Sequence, residues 1–161
     1  MDEAKSDAFA GRMLSLVNDA GLAIMCSLGH RTGLFDTMSR MEAATSDEIA
    51  ERAGLNERYV REWLGGMTVG GIAEHDAVAG TFRLPPEHAA FLTRAAGPDN
   101  LASQGQYLAM FGAVEDEIVE CFRSGGGAPY TRYPRFQALM AAESAMRSTF
   151  LLMASCRSFP A

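Results

Sequence analysis

The sequence predicts a mostly α-helical protein built around a winged helix-turn-helix, with a small β-hairpin as the wing and additional helices before and after it. Three observations support this fold class. Apolar residues recur at three- and four-residue steps along most of the 161 residues, which is the period of an amphipathic helix. A capping box and a glycine stop separate two short helical segments between residues 45 and 69. Two strand-like segments around a glycine-closed loop follow directly.

The first predicted helix runs from Phe9 to about Leu28, because its apolar residues fall on one stripe at helical spacing. The opposite face is only weakly charged, so we expect a second apolar surface to cover it, preferably that of another subunit. Gly29 and Gly33 are expected to interrupt the helix, and residues 34–38 to form a short second one. The stripe consists of Phe9, Met13, Leu16, Val17, Ala20 and Ile24.

The helix-turn-helix is predicted from its end signals. Thr45 followed three residues later by Glu48 forms a capping box, and Gly54 supplies a left-handed stop. Asn56 is expected to cap the next helix, and Trp63 to lie on its buried side. The inner positions of that helix are Val60, Trp63, Leu64 and Met67, and the outer ones are Glu57, Arg58, Arg61 and Glu62.

The wing is predicted from residues 72–76 and 81–84, which form two strands around a four-residue loop closed by Gly80. Pro86 suits the first turn of the helix that follows. That helix carries Ala90, Phe91 and Leu92.

The remainder of the chain is predicted to be helical. One helical region covers residues 101–122 with a kink near Gly112, glycines 125–127 end it, and a last helix covers residues 134–156. We therefore divide the chain into residues 1–94, the N-terminal helices with the winged helix, and residues 95–161, a helical linker and dimerisation region. The apolar positions are Leu108, Phe111, Val114, Ile118 and Phe122 in the first region, and Phe136, Leu139, Met140, Met146, Phe150 and Met153 in the last helix.

Composition narrows the function classes. The formal net charge of −6 argues against a general role on nucleic acid or on anionic membranes. The acidic N-terminus does not resemble a signal peptide, and no stretch of eighteen apolar residues occurs, so we expect a cytoplasmic protein without a membrane contact. Cys26, Cys121 and Cys156 are far apart and lack ligand spacing, so neither a disulfide framework nor a metal site is expected.

The winged helix itself is acidic, whereas a winged helix that binds DNA is usually basic. Residues 45–84 contain seven Asp or Glu and four Arg, a local net charge of −3. Duplex binding depends on the neutralisation of phosphates by Lys and Arg, so we interpret the module as structural first. The alternative is a winged-helix transcriptional regulator in which Arg58 and Arg61 contact DNA.

The sequence contains no recognisable catalytic motif and no glycine-rich turn that would bind a cofactor. A nucleophile elbow is absent, and no buried strand is followed by a GxGxxG-type turn. The glycine-rich segment GGGAPY lacks the GxxxxGK pattern of a phosphate loop. We predict no catalytic residue, and we expect this chain not to hold an adenosine cofactor in a site of its own.

Four segments between about Ala20 and Ser144 resemble a known family. Over this range the chain is similar to the N-terminal region of bacterial class I S-adenosylmethionine-dependent methyltransferases that carry a winged helix. The resemblance implies a homodimer whose winged helix and N-terminal helices roof the substrate pocket, while a separate doubly wound domain binds S-adenosylmethionine. The four segments are SLGHRTGLFDTM, TSDEIAERAGLNERYVREWLGGM, TFRLPPEHAAFLTRAAGPDN and GGGAPYTRYPRFQALMAAES.

The resemblance also implies cofactor-facing residues and a departure from the family. FQALMAAES resembles the linker helix of small-molecule O-methyltransferases, which implies that Phe136, Met140 and Ser144 face the cofactor cleft. A family member would continue into a glycine turn, whereas this chain ends with RSTFLLMASCRSFPA. We therefore expect a dimerisation and substrate-lid domain that is inactive alone, with the catalytic domain missing or separate. The alternatives are the transcriptional regulator and an adaptor that pairs with an intact methyltransferase.

Overall fold

A computed structural model describes residues 1–145, and the regular secondary structure in that range is helical except for one hairpin. This confirms the predicted fold class. Met146, Phe150, Met153 and Cys156, and the end of the last predicted helix, lie outside the described residues. The elements are α1 (Glu3–Thr32), α2 (Leu34–Met38), α3 (Ser46–Ala53), α4 (Glu57–Val69), β1 (Glu74–Asp76), β2 (Thr81–Arg83), α5 (Pro86–Leu92), α6 (Gly105–Gly112), α7 (Glu115–Ser124) and α8 (136–145). Three 3₁₀ segments, Arg94–Asp99, Leu101–Gln104 and Tyr130–Arg132, connect the later helices.

Helix α1 is longer than the sequence predicts. It begins after Asp2, whose carboxylate accepts a hydrogen bond from the Lys5 amide at 3.2 Å, and it continues through Gly29. The predicted interruption at Gly29 is therefore wrong. Only Gly33, with a left-handed φ of 76°, ends the helix, because a residue with a Cβ is disfavoured in that conformation.

The two helices of the helix-turn-helix begin as predicted, with one difference in the capping. The Thr45 amide donates to Glu48 Oε2 at 2.8 Å, and the Glu48 amide donates back to Thr45 Oγ1 at 3.4 Å. The Thr45 amide and the Thr45 hydroxyl both donate to the Glu48 carboxylate and lower the pKa of Glu48, the amide most of all. Asn56 occupies the N-cap position of α4, but its side chain makes no capping bond.

The core lies between α2, α3 and α4, and partly buried residues of α1 pack against it. Val60, Trp63, Leu64 and Met67 are buried as predicted. Trp63 packs edge-on against Phe35 with ring centroids 5.1 Å apart, and its indole N–H donates to the Met25 carbonyl of α1 at 2.9 Å. This hydrogen bond links α4 of the winged helix to α1. Its loss would leave a buried N–H donor without a partner, which is costly.

The wing has the predicted topology with slightly shorter strands. The antiparallel register pairs His75 with Phe82, and Gly80 adopts the positive φ that the loop requires. Phe82 also exchanges two backbone hydrogen bonds with Ala44, at 2.7 and 3.1 Å, so the wing is attached to the segment before α3. Pro86 occupies the first turn of α5 as predicted.

Helix α6 packs closely on α1 at Gly105, where the absence of a side chain allows the approach. A Cβ at Gly105 would lie 2.3 Å from the Ala23 carbonyl oxygen. A break follows Gly112, where the sequence predicts a kink, and α7 ends at Gly125. Of the apolar positions predicted here, Val114 is buried and Ile118 is half-buried. In contrast, Leu108, Phe111 and Phe122 are exposed.

Candidate functional site

The first half of α1 projects from the rest of the described chain, and we call its residues 3–19 the arm. Every arm residue is exposed. The apolar stripe predicted from the sequence lies on a helix, but its side chains are exposed to solvent. Leu16 and Val17 are 58% and 64% exposed. A contiguous apolar surface of this kind usually marks an interface.

The second half of the same stripe forms one wall of an open groove of about 760 Å³. Helices α6 and α7 form the opposite wall. Apart from Glu115, the lining is apolar or small. We call this feature the groove, and its lining residues are Ala20, Ile24, Leu108, Phe111, Gly112, Glu115, Ile118, Val119 and Phe122.

An aromatic cluster joins the groove to α8. Phe111 lies 6.2 Å from both Tyr107 and Tyr133, measured between ring centroids, and Tyr130 stacks on Phe136 at 5.0 Å. Offset and edge-on aromatic pairs at such distances are favourable beyond the area they bury. The cluster therefore holds the connector between α7 and α8 against α6.

The three residues predicted to face a cofactor lie on α8 with different surroundings. Phe136 is half-buried within the aromatic cluster, Met140 is half-buried, and Ser144 is exposed. The cavity beside α8 measures about 50 Å³ and is lined by the neighbouring face of the helix, including Leu139 and Glu143. Ligand pockets for cofactors measure about 300 to 1,000 Å³, so this cavity by itself is smaller than a cofactor pocket. The role of the three residues stays a prediction.

Two hydrogen bonds fix α8 to α6 at this cavity. The Tyr107 hydroxyl donates to Glu143 Oε2 at 2.8 Å, and Arg135 Nη1 donates to Gln106 Oε1 at 3.1 Å. Arg135 has a φ of 60°, a left-handed conformation that non-glycine residues adopt rarely. The start of α8 is thus set by a sharp turn rather than by continuation of a helix.

A polar junction connects α1 and α2 to the segment after α5. The Arg94 guanidinium pairs with Asp36 and donates to the His30 carbonyl oxygen at 2.5 Å. The Asn100 amide donates to His30 Nδ1 at 3.3 Å, while Asn100 Oδ1 accepts from the Ser103 amide. Burial, followed by repulsion from Arg94, lowers the pKa of the His30 imidazole, and Asp36 opposes this shift.

Sequence reasoning missed this junction. His30 and Arg94 are 64 residues apart, so no local spacing connects them. The available signal was weak: both lie in segments that the family resemblance covers.

The two arginines of the DNA-binding alternative lie on the outer face of α4. Both are exposed, and Arg61 pairs with Glu57 one turn earlier at 3.5 Å. With Glu62 included, this face has two acidic and two basic groups and no net charge. Contact of Arg58 and Arg61 with DNA stays a prediction.

The described part of the chain offers no cluster of three or more His, Cys, Asp or Glu side chains that could hold a metal ion. Cys26 and Cys121 are half-buried free thiols, and burial raises the pKa of Cys26. None of the helices from residue 1 to 145 combines the length and the apolar character needed to cross a membrane.

Comparison with known proteins identifies the central module. Residues 20–94 match the Rv2258c-like winged HTH domain family. A search of curated proteins found no match.

Three solved structures illustrate the fold. The chain is similar to PigF with SAH (TM-score 0.54, 24% identity, covering 74% of this chain and 33% of that one). It is also similar to the mitomycin 7-O-methyltransferase MmcR (TM-score 0.66, 16% identity, 91% and 46%). A third is CalO1, a methyltransferase in calicheamicin biosynthesis in its SAH-bound form (TM-score 0.64, 18% identity, 99% and 50%). The chain thus spans half or less of each of these chains. Residues 20–94 match the model of a winged helix-turn-helix domain, and the chain shares its fold with part of each of these methyltransferase chains.

Proposed function

We propose that this chain is the dimerisation and substrate-lid region of an S-adenosylmethionine-dependent methyltransferase-like protein, and that it forms a homodimer. The observation that carries the proposal is the arm, whose apolar residues have no cover within the described chain. The fold shared with MmcR and CalO1 supports the link to methyltransferases. Burial of such a surface against a second copy would supply the driving force for assembly.

The lid part of the proposal rests on α8 and the aromatic cluster. Hydrogen bonds and stacked rings hold α8 in a fixed position relative to α6. In this proposal, Phe136, Met140 and Ser144 form one wall of a cleft, and a separate cofactor-binding domain supplies the other walls and S-adenosylmethionine. The chain itself contributes shape and cover rather than a reacting group.

Light scattering coupled to size-exclusion chromatography tests the assembly part. We expect the purified 161-residue polypeptide to have twice the 17.3 kDa mass of one chain across micromolar concentrations. A monomer at every concentration would contradict the proposal. The Val78→Glu variant is a suitable control, because Val78 lies on the wing loop and is fully exposed, so its substitution should leave the mass unchanged.

An adaptor that pairs with an intact methyltransferase is a second candidate. The same uncovered arm favours it, since the surface that would bind a second copy would also bind a similar subunit. The mass measurement separates the two, because an adaptor without its partner would be a monomer.

A further inference from the structure

We propose that residues 146–161, which we call the tail, cover the groove of their own chain, with the apolar residues of the tail packed on the exposed side chains of α6 and α7. The inference goes beyond the proposed function and does not depend on it, because the arm stays available for assembly. The tail lies outside the described residues, and its sequence is MRSTFLLMASCRSFPA.

The groove has the exposed apolar surface that an occupant requires. Phe122 and Phe111 are 89% and 55% exposed, and Leu108 and Val119 beside them are exposed as well. Among the lining residues only Glu115 is charged. The walls belong to three different helices, so a change within one helix would not bury them. A contiguous apolar surface of this kind marks a place where another segment or molecule binds.

The tail starts beside one wall of the groove. It follows α8, and Glu143 near the end of α8 accepts the hydrogen bond from Tyr107 of α6 at 2.8 Å. Tyr107 directly precedes Leu108 of the groove wall. The tail reaches up to about 53 Å when it is extended, whereas the α7 wall from Glu115 to Phe122 is about 10 Å long. Tethering of this kind gives an effective concentration of about a millimolar, which no separate chain at micromolar concentration matches.

The tail carries apolar residues that the groove can bury. Residues 150–153 read Phe-Leu-Leu-Met. Four successive side chains place at least two on the same side of the chain, in a helix as well as in an extended strand. Packing of these side chains on Phe111 and Phe122 removes apolar surface of both segments from water, which favours the contact.

The charges of the tail and of the groove rim are opposite. The tail contains Arg147 and Arg157 and no Asp or Glu, so its side chains have a formal charge of +2. In the first turn of α7, Glu115 and Asp116 make no ion pair with any residue from 1 to 145. The other charged residues of α7 are paired, Glu117 with Arg132 and Glu120 with Arg123. Opposite charges at the rim of a contact favour it and set its orientation.

The α1 wall and the arm complete the charge balance. Between Arg12 and His30, the only charged residue of α1 is Asp19, so this wall adds no positive charge. The arm has three acidic and two basic residues, a net charge of −1, and is not attracted to an acidic rim. Electrostatics and tethering therefore both favour the tail over the arm of a second copy as the occupant.

The isoleucines of the chain provide a direct test. There are four: Ile24 and Ile118 line the groove, whereas Ile49 lies in the winged-helix core and Ile72 packs against it. Their δ1 methyl groups give separate signals in a methyl-labelled protein. Two signals thus report on the groove, and two serve as internal controls in the same spectrum.

A nitroxide on Cys156 is the source of the relaxation. The full 161-residue chain carries Cys26→Ala and Cys121→Ala, so that Cys156 is the one reactive thiol. It follows Met153 by three residues, so the label lies within about 10 Å of the apolar segment. We expect the methyl signals of the groove isoleucines to lose most of their intensity relative to the reduced label, and the two control signals to lose much less.

A groove variant provides the second measurement. Leu108→Gln with Phe122→Gln keeps the charge of the groove and replaces two exposed side chains, so the helical circular dichroism spectrum should not change. Chymotrypsin cleaves after large apolar residues such as 150–153, and cleavage follows the population in which the tail has left the groove. We expect tail cleavage, identified by the product mass, to become at least roughly tenfold faster than in the wild type. Phe91→Gln on α5 is the matched control and should leave the rate unchanged.

The other outcomes overturn the inference. Equal intensity loss at all four isoleucines, none at the groove isoleucines, or a groove variant that is cleaved at the wild-type rate would show that the tail does not lie in the groove. A mixture of nitroxide-labelled chains with separate methyl-labelled chains should show no loss. Loss in that mixture would place the tail in the groove of a second copy and would contradict the contact within one chain. The homodimer is decided separately by the mass measurement.

Discussion

At the scale of single residues, Gly29 shows how a glycine can be required by packing rather than by the backbone. It lies inside a regular helix, and a Cβ at this position would be 2.4 Å from Trp63 Cζ2 and 2.7 Å from Phe35 Cε2. Both rings are buried and pack on each other, so neither can move freely. The close approach of α4 and α2 to α1 therefore depends on the missing side chain.

Gly29→Ala should destabilise the fold even though alanine favours helices. Overpacking of a filled core costs about 1 to 3 kcal/mol, and the gain in helix propensity offsets at most about 1 kcal/mol of this. We expect the free energy of unfolding in urea to fall by about 1 to 2 kcal/mol. The matched control is Gly65→Ala in α4, where a Cβ would meet nothing within 4 Å. That variant should gain up to about 1 kcal/mol, and an equal gain for Gly29→Ala would contradict the packing argument.

His30 links the polar junction to pH. Its Nδ1 accepts a hydrogen bond from Asn100, which requires an unprotonated nitrogen, and the pKa of His30 in the folded state is lowered. Because the His30 imidazole binds a proton more readily in the unfolded chain, with a pKa of about 6.5, its contribution to stability is complete above that pH. It is lost as the pH falls from there towards the lowered folded-state pKa.

The pH dependence can be measured with one substitution. The free energy of unfolding should decrease between about pH 7.5 and 5, and His30→Gln, which cannot be protonated, should make that decrease smaller. Chemical denaturation at several pH values provides the comparison. An identical decrease in the wild type and the variant would show that other groups cause it.

At the scale of helices and strands, the features predicted from sequence are those with local causes. The capping box at Thr45, the left-handed residues Gly54 and Gly80, and Pro86 at a helix start all occur where expected. Each depends on residues within one turn of it. The predicted break at Gly29 failed for the opposite reason, because Trp63 lies 34 positions further along the chain. Likewise, the groove depends on α6 approaching α1 at Gly105, a contact that no sequence pattern indicates.

Helix α4 has the position of a recognition helix but not its electrostatics. Glu57, Arg58, Arg61 and Glu62 give its outer face no net charge, and Arg61 already has a partner in Glu57. Affinity for duplex DNA depends mainly on phosphate neutralisation, so we expect no mobility shift with DNA even at low salt. A steeply salt-dependent complex that the Arg58→Glu, Arg61→Glu double variant abolishes would contradict this and favour the regulator. The Arg52→Glu variant on α3 serves as the matched charge control.

At the scale of the whole molecule, α1 is the element against which both the winged helix and α6 pack. Its C-terminal half contacts the winged helix through Trp63 and Met25 on one side, and α6 through Gly105 on another. The residues of its N-terminal half are exposed. Rigid attachment at one end and exposure at the other are what an assembly arm requires, since the helix need not be ordered at the moment of association.

The lid proposal predicts that the 161-residue polypeptide does not bind the methyl donor by itself. Adenosine-type cofactors in doubly wound folds bind at the carboxyl ends of parallel strands, whereas the sheet described here is a two-stranded antiparallel hairpin. The cavity beside α8 is also far below the size of a cofactor pocket. Calorimetric titration with S-adenosylmethionine should therefore show no binding tighter than the millimolar range.

Micromolar binding in that titration would contradict the prediction and would raise the question of which residues are responsible. Phe136→Ala and Met140→Ala then decide whether α8 forms the site, because both side chains lie on the face that the family resemblance assigns to the cofactor. Phe91→Ala is the matched control, since Phe91 is an aromatic residue exposed on α5 and does not belong to the aromatic cluster. Weaker binding in the α8 variants alone would mean that α8 holds the donor directly, whereas equal binding in all three would place the site elsewhere in the chain.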